Sequence, residues 1–563
     1  MLAAIRLLVV LRADALTSLP DEVGYLGDAW MIARGRPAPP MGFSPFYPGG
    51  FPVLVAPFAA VTDAPDVVAM AARVLNVALL AAVVPTLMGL LARLGRLDPV
   101  PRALVAVAAS AAPGLWIAAA YVWPDALAAF LWPVALLALG RLVTGTGPLL
   151  SRLWFGPSVA ALWVVHARFM PVVVLGGALL VTRILDLGIG GSEASNGHPR
   201  RDPADVANLV LGAVVIGAGL ALNGWLESRW TNVAPGPLDG IGDDLAATTG
   251  GALRSLAGQA WYALVGTLGL AAVGAVTLTR AAWEARPRPS ALWSEPVPAL
   301  AAFTLTGALA VMVGAAVQLR SPVGFGEVVD FGLLANGRYQ DVVLVPLVAV
   351  GLARVVRRVG PAVGLEVGLI LVATVLAVVV GVAAGTDSVA VSASSSAGAT
   401  WGFEWWPQVP TAVPTIALAA AVAAVVALRR LTDRARALVV PVVALLALGA
   451  IGLERADAVS AGSRAAAERE PGADRVRDLV DGQPVAYALD PSTVVRSFEL
   501  GWELAPGGLL LYPAGDTPPA RLVIAPIGPD GGPGVDGLAS ARREATLPTV
   551  GGRDLALWRM PPP

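Results

Sequence analysis

About thirteen stretches of mainly apolar residues fill this chain before residue 456, most of them about as long as a helix must be to cross the roughly 30 Å hydrocarbon core of a bilayer. They fall at 1–19, 67–92, 102–120, 125–143, 153–166, 169–185, 205–224, 258–279, 297–316, 340–356, 362–384, 411–428 and 437–454. Inside a bilayer each backbone N–H and C=O must be bonded within the protein, so runs of this kind predict helices. The composition agrees: 56% of the 563 residues are hydrophobic and only 14% charged, with a mean hydropathy of +0.70. A soluble domain carries about 45–50% apolar residues. The fold class that follows is an α-helical polytopic membrane protein. Its weakest span is the first, where Arg6, Arg12 and Asp14 interrupt the apolar run, each costing about 2.5–3.5 kcal/mol at mid-membrane.

The 39 basic residues are all arginine, and they nearly balance 40 acidic ones. A near-neutral chain is a poor nucleic-acid binder. Without lysine there is no phosphate loop of the Walker type, and without cysteine no thiol nucleophile, disulfide or cysteine zinc site. Two histidines are too few for a His-rich metal centre, so any divalent cation would have to sit on carboxylates.

Arginine bias sets the orientation. With the N-terminus inside, eighteen arginines fall in inner loops and seven, including Arg34, Arg168 and Arg338, in outer ones. The long loops 20–66, 225–257 and 385–410 then lie outside; the last carries Trp401, Phe403, Trp405 and Trp406, an aromatic group suited to the headgroup layer. The inner loop 186–204 is Gly/Ser/Pro-rich and reads as a linker. Beyond residue 455 charge rises and short β-like runs such as "PVAYAL", "LLLYP" and "RLVIAP" appear. We expect a membrane part at 1–455 and a small extracytoplasmic α/β domain at 456–563.

The first outer loop holds the densest set of candidate residues. Pro20 opens a predicted helix whose first turn carries Asp21 and Glu22, where the helix dipole favours negative charge. Asp21, Tyr25 and Asp28 share one face and Leu26, Ala29, Trp30 and Ala33 another, so the helix is expected along the membrane surface. Two carboxylates and a phenol at the outer boundary suit work on a lipid-borne substrate.

These residues occur in a recognisable order. An acidic pair follows a short first span, then a loop helix ending "AWMIARG", then "FYPGGFPVLVAP", then "ARVLNVALLAAVVPTLMGLLARLG". Asp125 in "AAYVWPDALAAF" and the Arg-Tyr of "NGRYQDVVLVPLVAVGLARV" come later. In this the chain resembles the GT-C superfamily of polytopic glycosyltransferases that use lipid-linked sugars, of the protein mannosyltransferase and aminoarabinose transferase type. The likeness is good over roughly residues 10–145 and is one of hydropathy elsewhere.

The resemblance implies transfer of a sugar from a polyprenyl-phosphate donor to a hydroxyl of a cell-envelope glycan, lipid or protein, at the outer face of a bacterial plasma membrane. An acceptor hydroxyl needs a base, worth about 10²–10⁴-fold, and Asp21 is the candidate. Glu22 or Asp125 would orient the acceptor or hold a divalent cation. The leaving phosphate calls for positive charge, which only arginine can supply here; Arg73, Arg168 and Arg338 are the candidates, with Tyr339 beside the last and Tyr47 positioned to lie against phosphate or sugar. Plainer readings stand beside these: a solvated cap for Asp21 and Glu22, a helix cap for Asp125, a headgroup contact for Arg73, an interfacial anchor for Arg338 and Tyr339, and a satisfied polar residue for His166. The competing functions are a secondary transporter or flippase, which would place charge at mid-membrane, and a non-catalytic scaffold or sensor working through its C-terminal domain.

Overall fold

The computed structural model describes residues 1–13, 21–35, 47–62, 64–94, 97–185, 202–229, 245–286, 295–318, 337–357, 388–390, 408–410, 431–468 and most of 479–561. The description of the molecule is confined to these. Its helices in chain order are α1 (Leu2–Val10), α2 (Asp21–Arg34), α3 (Gly50–Val61), α4 (Pro65–Leu94), α5 (Pro99–Ser110), α6 (Pro113–Ala120), α7 (Asp125–Thr144), α8 (Leu149–Arg152), α9 (Phe155–Val165), α10 (Met170–Ile184), α11 (Pro203–Glu227), α12 (Leu245–Val265), α13 (Leu270–Ala285), α14 (Pro296–Gln318), α15 (Arg338–Arg357) and α16 (Asp433–Glu468). Six described helices are long and apolar enough to cross a membrane, and two bent pairs raise the number to eight. The chain is a polytopic helical membrane protein with a small C-terminal sheet. Spans expected at 362–384 and 411–428, and the aromatic group at 401–406, lie outside the described residues.

Two expected spans are broken, each for a local reason. Residues 102–120 form α5 and α6, bent by 60°, because Pro113 has no N–H to continue the ladder and disfavours helix in the residue before it. Residues 258–279 divide between α12 and α13, with a bend of 102°, at a turn where Leu268 and Gly269 both take positive φ. Elsewhere small residues let backbones meet. A side chain on Gly274 would strike the carbonyl oxygen of Leu347, and one on Gly351 that of Leu270, so α13 and α15 cross in direct contact.

The charged first span also has an explanation. Only Leu2–Val10 is helical, about 14 Å of rise. The Arg6 side chain is buried, donates to the carbonyl oxygen of Ser110 at 2.5 Å and lies over the Trp116 ring at 5.0 Å. The end of α5, with carbonyls left over by the helix ladder, thus takes up the guanidinium. Arg12 reaches outward to Asp457 on α16.

α16 runs unbroken through position 455, and Ser460 on it donates to the Val9 carbonyl. The described strands are a two-stranded ladder of β1 (Ser388–Ala390) with β2 (Gln408–Pro410), and a five-stranded sheet made of β3 (Val485–Leu489), β4 (Leu509–Pro513), β5 (Leu522–Pro526), β6 (Arg542–Leu547) and β7 (Leu555–Arg559). The sheet order is β4-β3-β5-β7-β6. β4, β3 and β5 are parallel neighbours, while β7 pairs antiparallel with both β5 and β6. Every residue of β5 is buried, as befits the middle strand of a sheet covered on both faces.

Candidate active site

The site begins at the start of α2. Asp21 stands in its first turn, and one carboxylate oxygen accepts from the Tyr47 hydroxyl at 2.9 Å. The other receives Nη1 of Arg338 at 2.5 Å. The same guanidinium turns its Nε to Asp125 at 3.2 Å, and the second oxygen of Asp125 receives Nη2 of Arg168 at 2.5 Å. Tyr47, Asp21, Arg338, Asp125 and Arg168 therefore form one continuous row, drawn from the loop before α3 and from α2, α15, α7 and the turn before α10. Tyr47 at one end is buried, and from Asp21 onward solvent access falls: the side chains of Asp21 and Arg338 are 25% and 14% exposed, those of Asp125 and Arg168 5% and 0%. A ligand can reach Asp21 and Arg338, while Asp125 and Arg168 stand behind them.

The turn between α6 and α7 supplies the floor. Arg338 lies over the Trp123 ring at 3.5 Å, a cation–π contact of the kind strengthened by desolvation, and Trp123 stacks on Tyr121 at 4.1 Å. The turn is pinned by Asn76, whose side-chain amide donates to the carbonyls of Tyr121 and Trp123 at 2.9 and 3.2 Å. It is also pinned by Glu22, which accepts from the Val122 N–H at 2.8 Å.

Glu22 and Arg73, expected to act on substrate, are directed inward. Their side chains are 0% and 3% exposed and lie 3.6 Å apart, and Arg73 also donates to the Ala13 carbonyl. The pair ties α2 to α4 and to the aromatic turn. His166 accepts from the backbone N–H of Arg168 at 3.3 Å and so shapes the turn that presents that arginine. Tyr339 is part of α15, but its side chain lies outside the described residues.

α2 is not the open surface helix its amphipathic pattern suggested. Glu22 through Met31 are all buried, because α3 packs along it and Tyr47 lies flat on Gly24, where an added Cβ would come 2.2 Å from the ring. Tyr25 meets Tyr47 edge-on at 4.9 Å. Burial first, and the Asp21 carboxylate second, hold both phenols well above the ordinary tyrosine range. Both stay protonated at neutral pH, so Tyr47 is a donor to Asp21.

A small cleft opens beside Arg338, with about 10 Å³ of room for a water-sized group, bordered by Trp123, Asp125, Asp341, Gly114 and Ile117. Of its polar lining, sequence reasoning found Asp125 and Arg338 and missed Asp341, although Asp341 follows Arg338 by one helical turn. It also missed Trp123, inside a run already singled out for its Asp. Among the described residues no three His, Asp or Glu side chains gather as metal ligands. Asp21 and Asp125 each face a guanidinium, a poor setting for a further cation.

No protein family model matches the chain, and no curated protein does. Among solved structures it is similar to ArnT from Cupriavidus metallidurans. The crystal structure of ArnT bound to undecaprenyl phosphate aligns over 99% of this chain and 97% of that one, at 15% identity and a TM-score of 0.48. The apo crystal structure aligns over 99% and 96%, at 14% identity and a TM-score of 0.49.

Proposed function

We propose that the chain is a GT-C-type glycosyltransferase that moves a sugar from a polyprenyl-phosphate donor to an acceptor hydroxyl at the extracytoplasmic face of the membrane. The observation that carries this is the accessible pair of Asp21 and Arg338, in contact at 2.5 Å with a cavity at the arginine's side. Glycosyl transfer from a phosphate needs these two groups, a base for the incoming hydroxyl and a fixed cation for the outgoing phosphate.

In the proposed reaction the acceptor oxygen forms a bond to the anomeric carbon as the bond from that carbon to the donor phosphate breaks. The electron pair of the broken bond stays on the polyprenyl phosphate, facing Arg338. The acceptor proton passes to the Asp21 carboxylate, oriented by the Tyr47 hydroxyl. Donor binding prepares the base: a phosphate at Arg338 competes for the guanidinium that Asp21 now holds, and a carboxylate relieved of a cationic partner is a stronger base. Asp125 and Arg168 hold Arg338 from behind, and Glu22 with Arg73 fixes the start of α2. The 456–563 region, by its place after the last span, is proposed to lie on the same face.

The test is transfer from a panel of radiolabelled polyprenyl-phosphate sugars in membranes containing wild type or Asp21→Asn at equal protein levels. Transfer by the wild type with a loss of at least about a hundredfold in the variant, the range of a missing general base, supports class and residue together. Equal transfer by both removes Asp21 from the mechanism. Absence of transfer from every donor, with acceptor-bearing membranes supplied, favours a transporter or scaffold.

A further inference from the structure

Asp341 has no part in the scheme above, yet its placement is unusual. It sits on α15 three residues after Arg338, so the two side chains share a face of the helix, and both border the cavity. Its carboxylate has one hydrogen-bond partner among the described residues, the Tyr262 hydroxyl at 3.3 Å. A carboxylate offers about four acceptor positions, and this one, half-buried at the edge of the cleft, has room on them for further donors.

Two glycines on separate elements make room for this arrangement. A Cβ on Gly114 would fall 1.9 Å from a carboxylate oxygen of Asp341, and a Cβ on Gly337 would fall 1.8 Å from the ring of Tyr262. Alanine at either place would displace one member of the pair. Asp341 is also unsuited to the phosphate, since a carboxyl group offers it no cation. What it fits is a set of neutral donors lying next to the phosphate, and in a glycosyl phosphate those are the ring hydroxyls. Two adjacent hydroxyls can donate to the two oxygens of one carboxylate.

We infer that Asp341, oriented by Tyr262, reads the sugar: its carboxylate accepts hydrogen bonds from the hydroxyls of the glycosyl unit whose phosphate is held at Arg338. The inference rests on the glycosyl-transfer reading above and adds to it the residue that selects among donors. Sites built to bond a substrate hydroxyl discriminate strongly against analogues lacking it, because the polar group left behind is unpaired.

The experiment is a binding titration of the purified full-length protein in lipid nanodiscs. The probes are undecaprenyl phosphate and a series of undecaprenyl-phosphate monosaccharides, epimeric or deoxygenated at single ring carbons. The quantity read is the ratio of affinities, glycosylated over bare carrier, for the wild type, Asp341→Asn and Gly114→Ala. The wild type is expected to bind one member at least about tenfold more tightly than the bare carrier, the worth of one hydrogen bond to a charged group. Both variants are expected to lose most of that ratio and to bind the epimers alike. Ratios unchanged in both variants overturn the inference, as does a wild type that binds all glycosylated carriers no better than the bare one; in that case the phosphate reading survives. A variant that weakens bare and glycosylated carrier equally assigns Asp341 to packing and also overturns it. A wild type that binds no lipid phosphate at all overturns the glycosyltransferase reading together with this one. Should Asp341→Asn melt early, Gly114→Ala and Tyr262→Phe carry the same comparison with the carboxylate retained.

Discussion

Asp21 and Glu22 are neighbours in sequence, carry the same charge and sit in the same helical turn, yet the structure treats them oppositely. Asp21 points to a partly open row of polar groups and meets Arg338; Glu22 points into the protein and meets Arg73 with almost no exposure. Successive residues on a helix are turned by about 100°, so one of two adjacent acids must face away from any site the other faces. Reaching a ligand needs access, and fixing a loop needs burial. The same acidic pair serves both ends, one residue for chemistry and one for position.

The largest expected effect comes from breaking the exposed half. Asp21→Asn keeps the shape and a hydrogen-bond acceptor for Tyr47 but cannot take a proton, and transfer activity is expected to fall at least about a hundredfold with little change in melting temperature. If the variant instead unfolds early and retains its activity per folded molecule, the roles of the two acids are reversed.

Breaking the buried half should show the opposite pattern. Removing one partner of a buried ion pair leaves the other charge uncompensated, a cost of about 3–5 kcal/mol. Glu22→Ala and Arg73→Ala are therefore expected to lower folded yield and melting temperature sharply, measured in detergent by tryptophan fluorescence. The double variant should lose less than the sum, since it leaves no unpaired charge. Strict additivity would show that the two side chains are not coupled.

A third, smaller effect concerns how the exposed half is held. Gly24→Ala places a methyl group where the Tyr47 ring lies, and overpacking of this kind costs about 1–3 kcal/mol. It should reduce both stability and transfer by shifting Tyr47 off Asp21. Adding Tyr47→Ala to Gly24→Ala should restore the stability by removing the clash, and leave transfer impaired. Recovery of both would mean that Tyr47 has no part in holding the base.

Much of this contrast was legible in the sequence, and the remainder was hidden for identifiable reasons. Charges in an apolar chain are conspicuous, so Asp21, Asp125, Arg168 and Arg338 could all be marked, and the structure joins them in one row. Which way Glu22 and Arg73 face depends on helix phase and on what packs there, which hydropathy does not encode. Trp123 and Asn76 sit in runs where an aromatic or a single amide looks like ordinary span interior. Asp341 gives no signal of its own in the sequence, because its placement depends on Tyr262 and Gly114, far away along the chain. The breaks at Pro113 and Gly269 lie inside runs apolar enough to read as single spans, and only the backbone shows that they bend. The surface-lying α2 was expected from a genuine two-faced pattern; the missing information was that Tyr47 and α3 cover it.

The smallest expected effect is a matter of pH and concerns the phenol at the end of the row. Tyr47 is held above the ordinary tyrosine value of about 10, first by burial and then by Asp21. A group raised in the folded state adds stability that is whole below its unfolded value and is lost as pH climbs through the folded one. Wild-type stability should thus be independent of Tyr47 ionisation up to about pH 10 and decline above it, while Tyr47→Phe should decline less steeply there. At neutral pH the same variant removes one hydrogen bond to a carboxylate, so transfer should fall by about tenfold, well short of the loss in Asp21→Asn. The activity profile of Tyr47→Phe between pH 6 and 9 should keep the wild-type shape, because in that window the phenol orients the base without titrating. A wild-type rate that kept climbing with pH above about 8, and did not climb in Tyr47→Phe, would instead make the phenolate itself the proton acceptor and leave Asp21 as the group that positions it.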